Sequence, residues 1–298
     1  MRRTRTGKRI ELTARDIEIF KILEKYRYLR STYIHAFVGG ASATRFKERL
    51  GDLFHEGYLD RPTQQWEFAD ARHMPTVHEG GVGSAQALRA TGVAREGANT
   101  FLANGVHRQF LHSLMICEAL ASLDLGMRAA PHLRLIGWPE ILGRAPEATR
   151  LSLTPFRVPV PSGGYLVPDG LFGIEYRSGG TKTYRFFALE ADRGTMPVVR
   201  SNPNQTSYLK KVAAYREVID RQVHKSHWGI PKLLVLTLTT GEARMAEMIR
   251  QLGAQPGNNA AFLFKAIRGG TLRQPMLQLL NGPWERAGLP PSCIAESD

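Results

Sequence analysis

Several features that define secreted proteins, membrane proteins and common enzymes are missing from this sequence. Its only cysteines, Cys117 and Cys293, are too few for a disulfide framework or a zinc site, which suits a reducing compartment. No apolar run approaches the roughly 18–20 residues of a membrane span, and no apolar core of a secretory signal follows the basic start. No Ser-His-Asp arrangement is discernible, and GGVG at residues 80–83 lacks the Lys-Ser/Thr of a phosphate-binding loop. These absences predict a soluble cytoplasmic protein.

Positive charge is what the sequence has in excess. The chain has 298 residues, 43% of them hydrophobic and 22% charged, which is typical of a globular protein long enough for two domains. Its net charge is +13 and its pI about 10.0, and residues 1–50 hold 13 Lys or Arg against five Asp or Glu. This balance predicts a polyanionic partner, with nucleic acid as the first candidate and an anionic membrane surface as the second.

Residues 11–100 are predicted to form a winged helix-turn-helix domain, preceded by a basic arm at residues 1–10. Thr13 and Asp16 form a capping pair for a first helix, STYIHAFV reads as a second, and Ser42 caps a third with apolar residues at helical spacing. GYLDR and TQQWEFAD are predicted as strands, and residues 69–104 as the rest of the wing and a connection. Three helices followed by a two-stranded ribbon are the order of a winged helix-turn-helix.

The third helix is the element predicted to read DNA. Arg45 and Arg49 lie opposite its apolar face and are placed to reach guanine edges or phosphates, while the helix start and the arm would bind phosphates. Two alternatives remain, a solvated helical face and a protein–protein module. The residues predicted to bind double-stranded DNA are Arg2, Arg3, Arg5, Ser42, Thr44, Arg45, Lys47 and Arg49.

Residues 101–281 are predicted to form a mixed α/β domain, so the fold class of the chain is α/β (α+β). A helix over GVHRQFLHSLMICEALASLDLG precedes a loop-like stretch at 129–162, in which LRLIGW reads as a short strand. A hairpin around Ser-Gly-Gly follows, then QTSYLKKVAAYREVIDRQ as a helix and PKLLVLTLTT, GEARMAEMIRQLG and AAFLFKAIR as strand, helix and strand. Residues 282–298 are predicted to be an irregular tail.

Three acids interrupt the apolar strands of that hairpin. Glu190 and Asp192 point to the same face because side chains alternate along a strand, and the hairpin brings Asp169 near them. Converging carboxylates repel unless a cation compensates, and hard oxygen ligands suit Mg²⁺ or Mn²⁺. The pattern therefore predicts a divalent-metal site formed by Asp169, Glu190 and Asp192. Two alternatives remain, an internal ion-pair cluster with Arg193, Arg185 or Lys182, and exposed strand ends.

The same residues carry a family resemblance. Pro168-Asp169, Glu190-Ala191-Asp192 and a following basic helix resemble the PD-(D/E)XK restriction-endonuclease-like superfamily. The wider arrangement is similar to the replication-relaxation family of plasmid and phage proteins. It comprises LTARDIEIFKIL, SATRFKERLGDLFHEGYLDR, His112, VPDG and FFALEADRGT, and it spans about residues 10–240.

The resemblance implies that Asp169 and Glu190 are metal-binding acids of a nuclease-like site. Asp192 occupies the position of the superfamily's lysine, which helps to position or activate the attacking water. Either Asp192 is a further metal ligand and Lys210, Lys211 or Arg193 supplies positive charge, or the site does not cleave. Glu118 on the preceding helix corresponds either to an extra acid of some members or to a surface residue.

The sequence thus predicts a DNA-binding protein of a mobile genetic element, acting in plasmid or phage mobilisation or replication. A Mg²⁺- or Mn²⁺-dependent domain would cleave or nick DNA by phosphodiester hydrolysis, with Asp169, Glu190, Asp192, Lys210 and Lys211 as catalytic residues. The alternative is a catalytically inactive accessory factor or transcriptional regulator that recruits a relaxase or a replication protein. A homodimer is compatible with both.

Overall fold

A computed structural model describes residues 3–4, 6–40, 42–67, 70–92, 110–195, 197–198 and 207–296. The chain divides into two compact units, Met1–Leu125 with Leu272–Met276, and Gly126–Thr271 with Leu277–Asp298. The boundary predicted near residue 100 falls among residues 93–109, which lie outside the described part of the chain. Helices and a large mixed sheet confirm the predicted mixed α/β class.

The first unit consists of short helices around a three-stranded antiparallel sheet, in which β3 (Val77–Gly80) lies between β1 (Leu29–Arg30) and β2 (Leu59–Asp60). Leu29 of β1 lies opposite His78 of β3, and Leu59 of β2 lies opposite Gly80 of the same strand. The elements are α1 (Ala14–Tyr26), β1 (Leu29–Arg30), α2 (Ser31–Val38), α3 (Ala43–His55), β2 (Leu59–Asp60), two 3₁₀ turns (Thr63–Glu67 and Ala71–His73), β3 (Val77–Gly80), α4 (Val82–Ala90) and most of α5 (Phe110–Arg128).

The three predicted N-terminal helices are confirmed, and local capping explains where two of them begin. Thr13 and Asp16 form the predicted capping box at the start of α1, and the Ser42 hydroxyl accepts the Arg45 backbone N–H at the start of α3. The apolar residues predicted for α3, including Phe46 and Leu50, are buried.

The second strand of the ribbon is not where the sequence predicted it. TQQWEFAD begins with a 3₁₀ turn, and the partner of β2 is β3, which starts at Val77. The Gln65 side-chain amide donates to the carbonyls of Pro62 and Val77 and accepts the Val77 N–H. These bonds to the backbone stabilise a turn after Pro62 in place of an extended strand. α4, within the predicted connection, was also missed.

A bidentate ion pair fastens α3 to α1. Arg49 donates from Nε to Asp16 Oδ1 at 3.0 Å and from a terminal nitrogen to Oδ2 at 2.6 Å, and it also donates to the Glu11 carbonyl at 2.8 Å. Burial raises the pKa of Asp16, but hydrogen bonds from Arg49 and Thr13 outweigh it and hold the pKa below its ordinary value. Asp16 thus serves both the helix cap and the contact between helices.

The second unit is built on a seven-stranded mixed sheet. The elements are β4 (Leu133–Ile136), α6 (Trp138–Arg144), α7 (Glu147–Arg150), β5 (Val158–Pro159), β6 (Tyr165–Leu166), β7 (Gly170–Ser178), β8 (Thr181–Asp192), α8 (Tyr208–Asp220), α9 (Val223–Trp228), β9 (Leu233–Thr239), α10 (Glu242–Gly253), β10 (Phe262–Ala266), α11 (Gln278–Asn281), β11 (Pro283–Arg286) and β12 (Leu289–Cys293). The strand order of the sheet is β12-β11-β10-β9-β8-β7-β4. β8, β9 and β10 are parallel to one another, whereas β7 is antiparallel to both of its neighbours, β4 and β8.

The predicted hairpin is β7 and β8. Gly179 and Gly180 connect the strands with φ values of +53° and +81°, which glycine adopts without the steric penalty of a side chain. The register then places Gly170, the first residue of β7, opposite Leu189 near the end of β8.

Two stretches expected to be irregular contain regular structure. Residues 129–162 hold α6 and α7, besides the predicted strand over LRLIGW. Residues 282–298 hold β11 and β12, which extend the large sheet, and Trp284 of β11 is buried. Pro290 and Pro291 had favoured a loop, but β12 is an edge strand, where a missing backbone N–H is tolerated.

Of the described residues, one helix is long and apolar enough to cross a membrane, α5. Within its apolar window, 78% is buried inside the protein. Burial of this kind fits the core helix of a soluble protein.

Loss of the Asp16 carboxylate is expected to loosen α1 and α3 together. In Asp16→Ala, α1 loses the carboxylate half of its capping box and Arg49 loses its carboxylate partner, so local unfolding should become easier by about 2–4 kcal/mol. Hydrogen exchange of peptides covering the two helices measures this change. Glu18→Ala on the same helix removes an exposed pair with Lys21 and should change exchange by no more than about 0.5 kcal/mol. Equal protection in Asp16→Ala and Glu18→Ala would contradict the fastening role.

Candidate functional site

The hairpin register brings two of the three predicted acids together. Asp169 precedes β7, and its backbone N–H donates to the Leu189 carbonyl at 3.1 Å. Its Oδ2 accepts the Ala191 N–H at 2.9 Å, so the carboxylate is fixed beside the last residues of β8. Glu190 lies between those two positions on β8 and is 6% exposed. The strands thus hold Asp169 and Glu190 at one end of the hairpin.

One face of α8 supplies the partners of both carboxylates. Lys211 forms an ion pair with Glu190 Oε2, and its Nζ lies 3.9 Å from Asp169 Oδ1. The Tyr215 hydroxyl donates to the other oxygen of Glu190, Oε1. Lys211 and Tyr215 are four residues apart and therefore share a helix face. Ser207 starts α8 by accepting the Lys210 N–H at 3.2 Å.

The electrostatics of the cluster follow from its burial. Burial raises the pKa of Glu190 to about 7; the charge of Lys211 opposes the rise, that of Asp169 adds to it, and hydrogen bonds from Lys211 and Tyr215 oppose it. Burial lowers the pKa of Lys211, but Glu190 and Asp169 outweigh this and leave it above its ordinary value. With a pKa near 7, the buried carboxyl group of Glu190 can both donate and accept a proton next to the cation of Lys211. Such an arrangement is found at functional sites.

Asp192 has separate partners. Arg244 on α10 donates to both of its oxygens, at 3.0 and 3.1 Å, and the Thr239 hydroxyl donates at 3.0 Å. The Gly194 N–H adds a bond at 3.2 Å. Within the described ranges, no three His, Cys, Asp or Glu side chains are grouped as they would be to hold a metal ion. The three predicted carboxylates are thus arranged as a pair and a single acid, because Arg244 holds Asp192.

The cations beside the acids differ from most of those predicted. Lys210 and Lys211 were both predicted to supply positive charge to the acids. Lys211 contacts them, whereas Lys210 has an exposed side chain. Among the described residues, ion pairs to the acids come from Lys211 and Arg244 in place of Arg193, Arg185 or Lys182. Tyr215 was not among the predicted site residues. Its spacing of four residues from Lys211 could have predicted that both side chains face the acids. Nothing in the sequence around Arg244 indicated that it pairs with Asp192.

Glu118 is neither a surface residue nor part of this cluster. It lies in the first unit, 1% exposed, with Oε1 3.4 Å from Arg30. Burial raises its pKa to about 8, although Arg30 opposes the rise.

The predicted DNA-binding residues of the first unit separate into two groups. Ser42, Thr44, Arg45 and Lys47 are exposed along the start of α3. Arg49 is turned toward α1 by the ion pair with Asp16. Arg3 pairs with Asp60 and donates to the carbonyls of Phe54 and Leu59, so it packs against the unit. Arg2 and Arg5 lie outside the described residues.

A comparison with protein-family models gave a match over most of the chain. The family model described as replication-relaxation matches residues 20–234, which include α3, Asp169, Glu190 and Lys211. No curated protein and no solved structure matched the chain.

Removal of Lys211 is expected to raise the pKa of Glu190. In Lys211→Met, two neighbouring carboxylates lose their shared cation, so Glu190 should titrate about 1–3 pH units higher than in the wild type. Carbon NMR of the side-chain carboxyl, assigned by its absence in Glu190→Gln, measures the titration.

Lys210→Met is the matched control and should leave the Glu190 titration near pH 7. A Glu190 pKa that is equal in Lys211→Met and Lys210→Met would show that Lys211 does not compensate the pair.

Proposed function

The chain belongs to the replication-relaxation family, and we propose that it is a cytoplasmic DNA-binding protein of a mobile genetic element. Family membership indicates a role in the replication or mobilisation of a plasmid or other mobile element. The first unit would bind double-stranded DNA, and the second would act on it or recruit a protein that does. The exposed polar and basic start of α3 is the observation that carries DNA binding.

The element order of the first unit supports a winged helix-turn-helix. α1, β1, α2 and α3 are followed by the strands β2 and β3, which pair antiparallel. In this fold the second helix of the pair enters the major groove with its N-terminal residues toward the bases. Here that helix is α3, and its buried face is occupied by Phe46, Leu50 and Leu53.

The residues of α3 then have separate roles. Thr44, Arg45 and Lys47 lie on the exposed side, where a guanidinium matches guanine edges or phosphates and an ammonium matches phosphates. Arg49 is a positioning residue in this proposal, because its charge is used within the unit. The net charge of +13 supplies attraction to DNA that does not depend on base sequence.

The second unit has features expected of a PD-(D/E)XK-like domain. Three antiparallel strands, β4, β7 and β8, are followed by α8 and by β9, which is parallel to β8. Asp169 and Glu190 match the two acids of that resemblance, and Asp192 stands where the lysine is expected. In our proposal Lys211 supplies the missing cation from α8, because it contacts both carboxylates.

The pair fits a divalent ion in its donor chemistry. Mg²⁺ binds through one or two carboxylates and keeps water for its other positions, and Asp169 and Glu190 provide two hard oxygen donors side by side. Bound there, Mg²⁺ or Mn²⁺ would polarise a phosphate and make water a better nucleophile. Lys211 would neutralise charge on a phosphodiester lying against the carboxylates, and Tyr215 would hold the Glu190 side chain in place.

The second candidate is a catalytically inactive accessory factor or transcriptional regulator that recruits a relaxase or a replication protein. Its support is that both oxygens of Glu190 already have protein partners and that Asp192 is neutralised by Arg244. In this case the cluster is structural and needs no ion. The two candidates share the DNA-binding unit and differ in whether the pair takes up a metal.

The double variant Arg45→Ala with Lys47→Ala tests DNA binding by α3. Fluorescence anisotropy with duplex DNA over a salt series should show affinity weaker by about 1–3 kcal/mol if a base contact is lost. Loss of a phosphate contact should also reduce the slope of log affinity against log salt by about one. Lys21→Ala, which removes an exposed cation from α1, should have a smaller effect. Unchanged affinity and slope in the double variant would contradict the role of α3.

A further inference from the structure

A concave site lies in the second unit, away from the acid pair. It is a pocket of about 310 Å³ whose lining includes Arg185 of β8, Leu233 of β9 and Leu263 of β10. The register pairs Phe186 with Leu233 but Glu190 with Thr237. Four residues along a strand separate the two positions by about 13 Å. The pocket therefore opens at the opposite end of the parallel strands from Glu190.

The pocket has a one-sided charge. Besides His224, its described lining includes four Lys or Arg side chains and no Asp or Glu, namely Arg185, Lys225, Lys232 and Arg286. The positive charge that Lys225 and Arg286 bring to one concave surface favours an anionic ligand.

Two of these cations have only neutral partners in the described part of the chain. Lys225 donates to the Gln222 side-chain oxygen at 3.2 Å, and Arg286 donates to the Ala260 carbonyl at 3.3 Å. The Nε of Arg286 is buried and has no hydrogen-bond partner among the described residues. Neither Lys225 nor Arg286 is neutralised by a carboxylate of the described residues, so a phosphate would give both a charged partner.

The rest of the lining suits the remainder of such a ligand. Ile219, Leu233, Leu234 and Leu263 provide an apolar wall, and Asn258 adds a side-chain amide beside it. Guanidinium groups bind phosphate with two parallel hydrogen bonds, whereas the wall would contact a flat, weakly polar group. A volume near 300 Å³ is at the lower end of small-molecule sites.

We propose that this pocket binds a nucleoside phosphate, with the phosphate on the Lys225 and Arg286 side and the base against the apolar wall. The ligand is either a free nucleotide or the 5′-phosphorylated end of a DNA strand, since both present the same chemistry. The site is independent of α3 and of the acid pair.

Calorimetry on the full chain tests the proposal with ADP as the free nucleotide. A second probe is a four-nucleotide DNA bearing a 5′-phosphate, compared with the same DNA without it. Lys225→Ala with Lys232→Ala should weaken binding at least about tenfold, because Lys225 supplies a charged hydrogen bond to the phosphate and Lys232 is a second positive charge of the lining. Both lysines are exposed, so the fold should be retained; thermal unfolding checks this. Arg250→Ala, an exposed cation outside the lining, is the control.

The outcomes distinguish a free nucleotide from the 5′-phosphorylated end of a DNA strand as the ligand. Binding of ADP that weakens in the double variant supports the site with a free nucleotide. Binding of the phosphorylated DNA alone, weakened in the same variant, supports it with a strand end. The proposal is overturned if neither probe binds, if the double variant and Arg250→Ala bind equally, or if removing the 5′-phosphate leaves DNA binding unchanged while ADP does not bind.

Discussion

The buried ion pair between Glu190 and Lys211 is the interaction on which the proposed role of the second unit depends. A carboxylate that is 6% exposed loses its hydration, and the loss is offset by Lys211 and by the Tyr215 hydroxyl. The pair also joins β8 to α8, so the helix cannot shift without exposing or stranding a charge. Because Asp169 faces the same ammonium group, one lysine compensates two acids, and the site combines hard oxygen donors with a cation.

The first unit uses an ion pair in a different way. Asp16 and Arg49 are part of the scaffold that sets the orientation of α3 relative to α1, and the residues available to a partner lie earlier on α3. The basic residues of α3 are therefore not all available to a binding partner. Its positive charge divides between Arg49, which stabilises the unit, and Arg45 and Lys47, which remain exposed.

Local signals in the sequence predicted much of this architecture. The capping residues Thr13 and Ser42 and the Gly179-Gly180 turn each specify a structure within a few residues, and the turn alone brings Asp169 to Glu190. What could not be predicted depends on distant partners. Asp192 meets Arg244, which is 52 residues away, and Val77 pairs across the sheet with Arg30. The strand β11 pairs with β10 and β12 pairs with β11, so both depend on a partner distant in sequence. The proline-rich composition of this segment does not indicate that pairing.

We propose that Asp169 and Glu190 form an ion-binding pair and that Asp192 is outside it. Calorimetric titration with Mn²⁺ at about pH 8, above the Glu190 pKa of about 7, tests this most directly. We expect about one equivalent to bind to the wild type and to Asp192→Asn, and none to a folded Glu190→Gln. No binding by the wild type, or binding that survives in Glu190→Gln and disappears in Asp192→Asn, would contradict it.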